Sequence, residues 1–94
     1  MEEKVDISRM LDQSGKIEQF PKKIGARTAV LEYLADKFMA DRDYTEKEVN
    51  EICEKWHTFG DFFLLRRELI QHGLLCRIPD GSRYWRPKRS EEQI

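Results

Sequence analysis

The sequence predicts a mainly α-helical domain that ends in a β-hairpin. Three observations carry that expectation. Apolar residues recur at helical spacing in three stretches, residues 24–39, 45–56 and 61–72. The last stretch stops at Gly73, a residue suited to the left-handed position just past a helix end. Two short runs, 75–78 and 83–86, then flank the turn Pro79-Asp80-Gly81-Ser82. Ninety-four residues is the size of one domain with short tails.

The elements follow in order. Residues 1–16 form an N-terminal helical segment, with Ile7, Met10 and Leu11 as its apolar positions. The turn Asp12-Gln13-Ser14-Gly15 closes it, and residues 16–20 suit a short extended piece before Pro21. The domain proper spans residues 17–87. Its first helix, 24–39, places Ile24, Arg27, Leu31, Leu34 and Phe38 in register, with Val30 and Ala35 beside them. Asp41-Arg42-Asp43 reads as a polar break. Tyr44 and Thr45 open the next helix; Thr45 and Glu48 make a capping box, and Val49, Ile52, Cys53 and Trp56 form the apolar stripe. Thr58-Phe59-Gly60 ends it, and Asp61 caps the following helix.

In that helix, at ~100° per residue, Phe62, Leu65 and Leu69 share the inner face and Phe63 and Ile70 its margin. Leu64, Arg67, Glu68 and Gln71 point the other way. Arg66 falls among the apolar residues, so it must snorkel out or meet a carboxylate. Tyr84 and Trp85, adjacent on the return strand, face opposite sides of the hairpin. Pro87 ends pairing, and residues 88–94 read as a flexible tail. Helix, helix, short turn, helix, hairpin is the layout of a winged helix-turn-helix domain.

The net charge of −1 says little about partners, but its distribution says more. Residues 41–54 hold six acids and two bases, a balance of −4; residues 62–89 hold seven bases and two acids, a balance of +5. The basic half coincides with the last helix and the hairpin. Duplex DNA is therefore the first candidate partner: Arg67 and Gln71 would read base edges, and Arg77, Arg83 and Arg86 would hold phosphates. Against this stand Glu46, Glu48, Glu51 and Glu54, which crowd the preceding helix and would repel phosphate unless turned away. The alternative is a protein-interaction or oligomerisation module without direct DNA binding, in which the basic wing of one copy meets the acidic helix 45–54 of another copy or of a partner.

Other classes are disfavoured. No run approaches the ~20 apolar residues of a membrane span, and the N-terminus lacks the basic-then-apolar layout of a secretion signal. The expected setting is the cytoplasm, where Cys53 and Cys76 remain reduced. Cys53, His57, His72 and Cys76 offer soft ligands, but their spacing is no recognised finger, and no metal is expected. Tyr44, Trp56, Tyr84 and Trp85 suit a pocket or interface, yet aromatics in so small a domain usually build the core, and Trp56 is assigned there. There is no glycine-rich phosphate loop and no partnered nucleophile. The sequence predicts neither an enzyme nor a cofactor, and no small-molecule ligand is evident.

Two resemblances sharpen the expectation. The run L-x-x-H-G-L-L-C-R-x-P-D-G-S-R-Y-W, Leu69 to Trp85, resembles the junction between recognition helix and wing in bacterial winged-helix regulators. "FPKK", "AVLEYLADKF", "YTEKEVNEI", "WHTFGDFFLLRREL", "HGLL" and "DGSRYWR" together resemble the bacterial domain of unknown function 2087 family over residues 17–86. Members of that family occur alone or on the C-terminal side of helix-turn-helix regulators, which implies a role linked to transcription regulation. The resemblance implies no ligand, reaction or target.

Overall fold

The computed structural model describes residues 6–87. The expected tail, 88–94, and the first five residues of the N-terminal segment lie outside the described residues. A 3-10 helix, Ser8–Met10, precedes α1 (Ile24–Ala35), β1 (Asp43–Tyr44), α2 (Glu46–Lys55), α3 (Phe62–Gln71), β2 (Cys76–Arg77) and β3 (Tyr84–Trp85). The strands form one antiparallel sheet in the order β1-β3-β2, with Tyr84 opposite both Tyr44 and Arg77 and Trp85 opposite both Asp43 and Cys76.

Among the described residues, the helical part of the N-terminal segment is one 3-10 turn, Ser8–Met10, and Ile7 and Met10 pack on the core. Two differences from the sequence reading have physical causes. α1 stops at Ala35, short of residue 39. There the amides of Lys37 and Phe38 turn to the carbonyls of Leu34 and Ala35, at 2.9 and 3.0 Å, and this tighter turn swings Phe38 into the core. β1 lies where the sequence reading placed the end of the polar break and, at Tyr44, the opening of the next helix, which instead begins at Glu46. Asp43 faces solvent while Tyr44 faces the core, the alternation that a strand imposes.

The helix ends are built as their residues require. At α2 the Thr45 hydroxyl accepts from the Glu48 amide, and the Glu48 carboxylate accepts from the Thr45 amide. That backbone hydrogen bond, assisted by the Arg42 guanidinium, holds the Glu48 carboxyl below its ordinary pKa. At α3, Asp61 accepts from the Leu64 amide. Past its end, Gly73 takes φ +73°; its amide donates to Ile70 O and the Leu74 amide to Leu69 O, which completes a Schellman motif.

The core lies between the helices and the inner face of the sheet. α1 contributes Val30, Leu31, Leu34 and Ala35; α2 contributes Val49 and Cys53; α3 contributes Leu65 and Leu69. Tyr44, Tyr84, Leu75 and Phe38 close it on the sheet side. Ile17 is fully buried and works as a stitch: its amide donates to Trp56 O at 2.7 Å, and the Thr58 amide donates to Ile17 O at 3.0 Å. The extended piece expected at 16–20 thus ties the N-terminal segment to the α2–α3 turn. Trp56 is only half-buried, packed against the core with Lys37 4.2 Å from its ring centre.

Candidate nucleic-acid interface

Because Leu65 and Leu69 anchor one face of α3, the residues at 63, 66, 67, 70 and 71 form a continuous stripe on another. That stripe lines an open cleft of about 470 Å³. Phe63, Arg66, Arg67, Ile70 and Gln71 form one wall, and Glu46 of α2, Arg77 of β2 and Tyr84 of β3 form the other. Gly81, with φ +76°, sits beside Glu46, Arg77 and Tyr84, so the turn of the hairpin folds down toward the first turn of α2.

Of the five residues assigned to DNA from the sequence, the fold brings three together. Arg67, Gln71 and Arg77 are exposed and line the cleft. Neither Arg67 nor Arg77 has a carboxylate partner among the described residues; Arg77 Nη1 donates to Pro79 O at 3.1 Å and leans on the turn. Arg83 does not join them. Strand alternation turns it to the opposite face from Tyr84, where its guanidinium lies 3.4 Å from Asp43 and stacks on Trp85. Arg86 is engaged elsewhere: Nη1 donates to Phe38 O at 3.1 Å and Nη2 lies 3.6 Å from Asp36, with 14% of the side chain exposed. It fastens the end of β3 to the end of α1.

Arg66 finds the partners that its place on α3 demands. It donates to Asn50 Oδ1 at 2.6 Å, lies 3.5 Å from Glu46 Oε2 and stacks on Phe63. Tyr84 donates its hydroxyl to Glu46 Oε1 at 3.2 Å, and burial raises the Tyr84 phenol above its ordinary pKa, so it remains a donor at neutral pH. Sequence reasoning offered Tyr84 for a pocket or interface and Glu46 as a carboxylate near phosphate, but set neither beside Arg66 and Arg77. The signal was present: Thr45 as N-cap places Glu46 at the first helical position, and the hairpin register sets Tyr84 opposite Arg77.

Two charge contacts join the acidic and basic segments within one chain, Asp43 to Arg83 and Glu46 to Arg66. Part of the complementarity that suggested self-association is therefore satisfied internally.

The cysteines and histidines do not converge. His57 is buried, with both ring nitrogens bonded to backbone groups. Among the described residues, no group of three or more His, Cys, Asp or Glu side chains is arranged to hold a metal ion. Burial pushes the Cys53 thiol up to about 12, outweighing the nearby Arg66 guanidinium. The two thiols should consequently separate in a labelling experiment. At pH 8 the buried Cys53 stays a thiol. A disulfide reagent should therefore titrate the half-buried Cys76 in the folded protein and reach Cys53 only on unfolding. Two equally fast thiols would contradict that burial.

Three helices, the last two joined by a short turn, and a small antiparallel sheet carrying the hairpin define a winged-helix-like domain. The family model described as "Uncharacterized protein conserved in bacteria (DUF2087)" matches residues 16–86, and the chain belongs to that family. Neither a curated protein nor a solved structure matches it. No helix among the described residues is long and apolar enough to cross a membrane.

Proposed function

We propose that this domain binds duplex DNA in the cytoplasm, as a transcription regulator or a component of one. α3 enters the major groove, where Arg67 and Gln71 reach base edges, and Arg77 at the root of the wing holds a phosphate. One observation supports the reading above the others: Arg67, Gln71 and Arg77 line a single open cleft between α3 and the wing, and both arginines lack a carboxylate partner among the described residues. Arg83 and Arg86, placed with Asp43 and Asp36, are left out of the contact set.

Fluorescence anisotropy against mixed-sequence duplexes tests the proposal. Affinity should fall steeply with salt. Arg77→Ala should weaken binding to all sequences alike and lower the salt slope by about one phosphate contact. Arg67→Ala should cost about 1–3 kcal/mol on a selected site and relax preference at one base pair. Absence of binding at low salt, together with a mass that rises with concentration, would instead support the protein-interaction module.

A further inference from the structure

The cleft proposed for DNA contains a carboxylate. Glu46 is the first residue of α2, and its side chain turns toward α3 and the wing. Tyr84 Oη donates to Oε1 at 3.2 Å, and Arg66 Nη1 lies 3.5 Å from Oε2. A Cβ placed on Gly81 would lie 3.3 Å from Glu46 Oε1 and 3.8 Å from Arg77 Nη1, so this carboxylate and the phosphate-holding arginine flank the same turn. Half of the Glu46 side-chain surface remains exposed. It is an open negative charge among the cations of the site, held in place by two donors. The other acids of α2 differ from it: Glu48 is spent on the capping box and Arg42, while Glu51 and Glu54 lie on its solvent-exposed surface.

We infer that Glu46 limits the affinity of the cleft for the phosphate backbone, so that stable occupancy depends on the base contacts of Arg67 and Gln71. The inference rests on the DNA reading. A phosphate drawn to Arg77 approaches the Glu46 carboxylate at the same turn, and like charges at that range repel. Glu46 also keeps Arg66 turned inward, which removes a third cation from the set that could neutralise phosphates. Backbone contacts supply nearly all non-sequence-specific affinity. An anion fixed beside them lowers binding to every sequence and leaves only sites with matched bases above the threshold for occupancy.

Glu46→Gln tests this in the full chain. Glutamine keeps the length and an oxygen that accepts from Tyr84, and the Thr45–Glu48 capping box is untouched. Glu54→Gln, the same charge change near the far end of α2, is the control. Against a mixed-sequence duplex at low salt, Glu46→Gln should bind about three- to tenfold tighter than the wild type, and Glu54→Gln should change affinity far less. A Glu46→Gln variant no tighter than wild type, or an equal gain from Glu54→Gln, overturns the inference and leaves the DNA reading standing. No binding by wild type or either variant removes the DNA reading and the inference together.

Discussion

Phe38→Ala should destabilise the domain by about 3–5 kcal/mol. Phe38 is 1% exposed and meets the Tyr44 ring edge-on, with centroids 5.2 Å apart. Its carbonyl accepts from Arg86, and the next amide, that of Met39, donates to the Tyr44 hydroxyl at 2.7 Å. One aromatic ring therefore sits where the end of α1, strand β1 and the exit of β3 converge. Its removal leaves a cavity where one helix end and two strands meet, and the stability of a domain this small is only about 5–15 kcal/mol. Urea unfolding should show a large fall in midpoint at an unchanged slope. Ile24→Ala, at a side chain 68% exposed, should stay within about 0.5 kcal/mol of wild type. A Phe38→Ala loss no larger than the Ile24→Ala loss would show that the α1–sheet junction is anchored elsewhere.

Phe38 also shows what the sequence could and could not disclose. Its spacing from Leu31 and Leu34 marked it as core, and it is core; the same spacing implied that the helix continues through it, and it does not. Periodicity reports which face is buried. It does not report whether the last turn closes on the i−4 or the i−3 carbonyl. Signals that rest on one residue's chemistry transferred intact. Thr45 and Glu48 form their capping box, Asp61 caps α3, Gly73 takes the left-handed conformation, and Arg66, which had either to snorkel out or to meet a carboxylate, lies beside Glu46. β1 escaped because a two-residue strand within Asp41-Arg42-Asp43-Tyr44 has no period to detect; its pairing with β3 is a long-range contact that local sequence cannot encode.

The site was legible to the same depth. Helical geometry alone places Arg67 and Gln71 on the outer face of α3, and the hairpin places Arg77 beside it. Arg83 and Arg86 were grouped with them because charge along the chain carries no direction. Alternation on β3 sends Arg83 away from Tyr84, a step already implied by setting Tyr84 and Trp85 on opposite faces. Arg86 lies beyond the last paired residue, and only the tertiary fold shows that its target is the carbonyl of Phe38.

The second large effect is expected at His57. Its Nδ1 lies 2.6 Å from Cys53 O, and the Asp61 amide donates to Nε2 at 2.8 Å. A carbonyl can only accept and an amide N–H can only donate, so the ring is neutral with its proton on Nδ1. The imidazole thereby joins the last turn of α2 to the N-cap of α3, beside the Ile17 stitch and against Phe59, 4.5 Å away centre to centre. His57→Ala removes that packing and leaves the Asp61 amide without its acceptor, and the combined loss should be about 2–4 kcal/mol. His57→Gln can still present an oxygen near the Nε2 position, so it should recover about 1 kcal/mol of this. Amide exchange at Asp61 separates packing from hydrogen bonding: it should be fast in His57→Ala and slowed again in His57→Gln. Equal unfolding midpoints and equal Asp61 exchange in the two variants would assign the whole effect to lost volume. A recovered midpoint with a protected Asp61 amide would assign that part of the effect to the hydrogen bond by which His57 joins the last turn of α2 to the N-cap of α3.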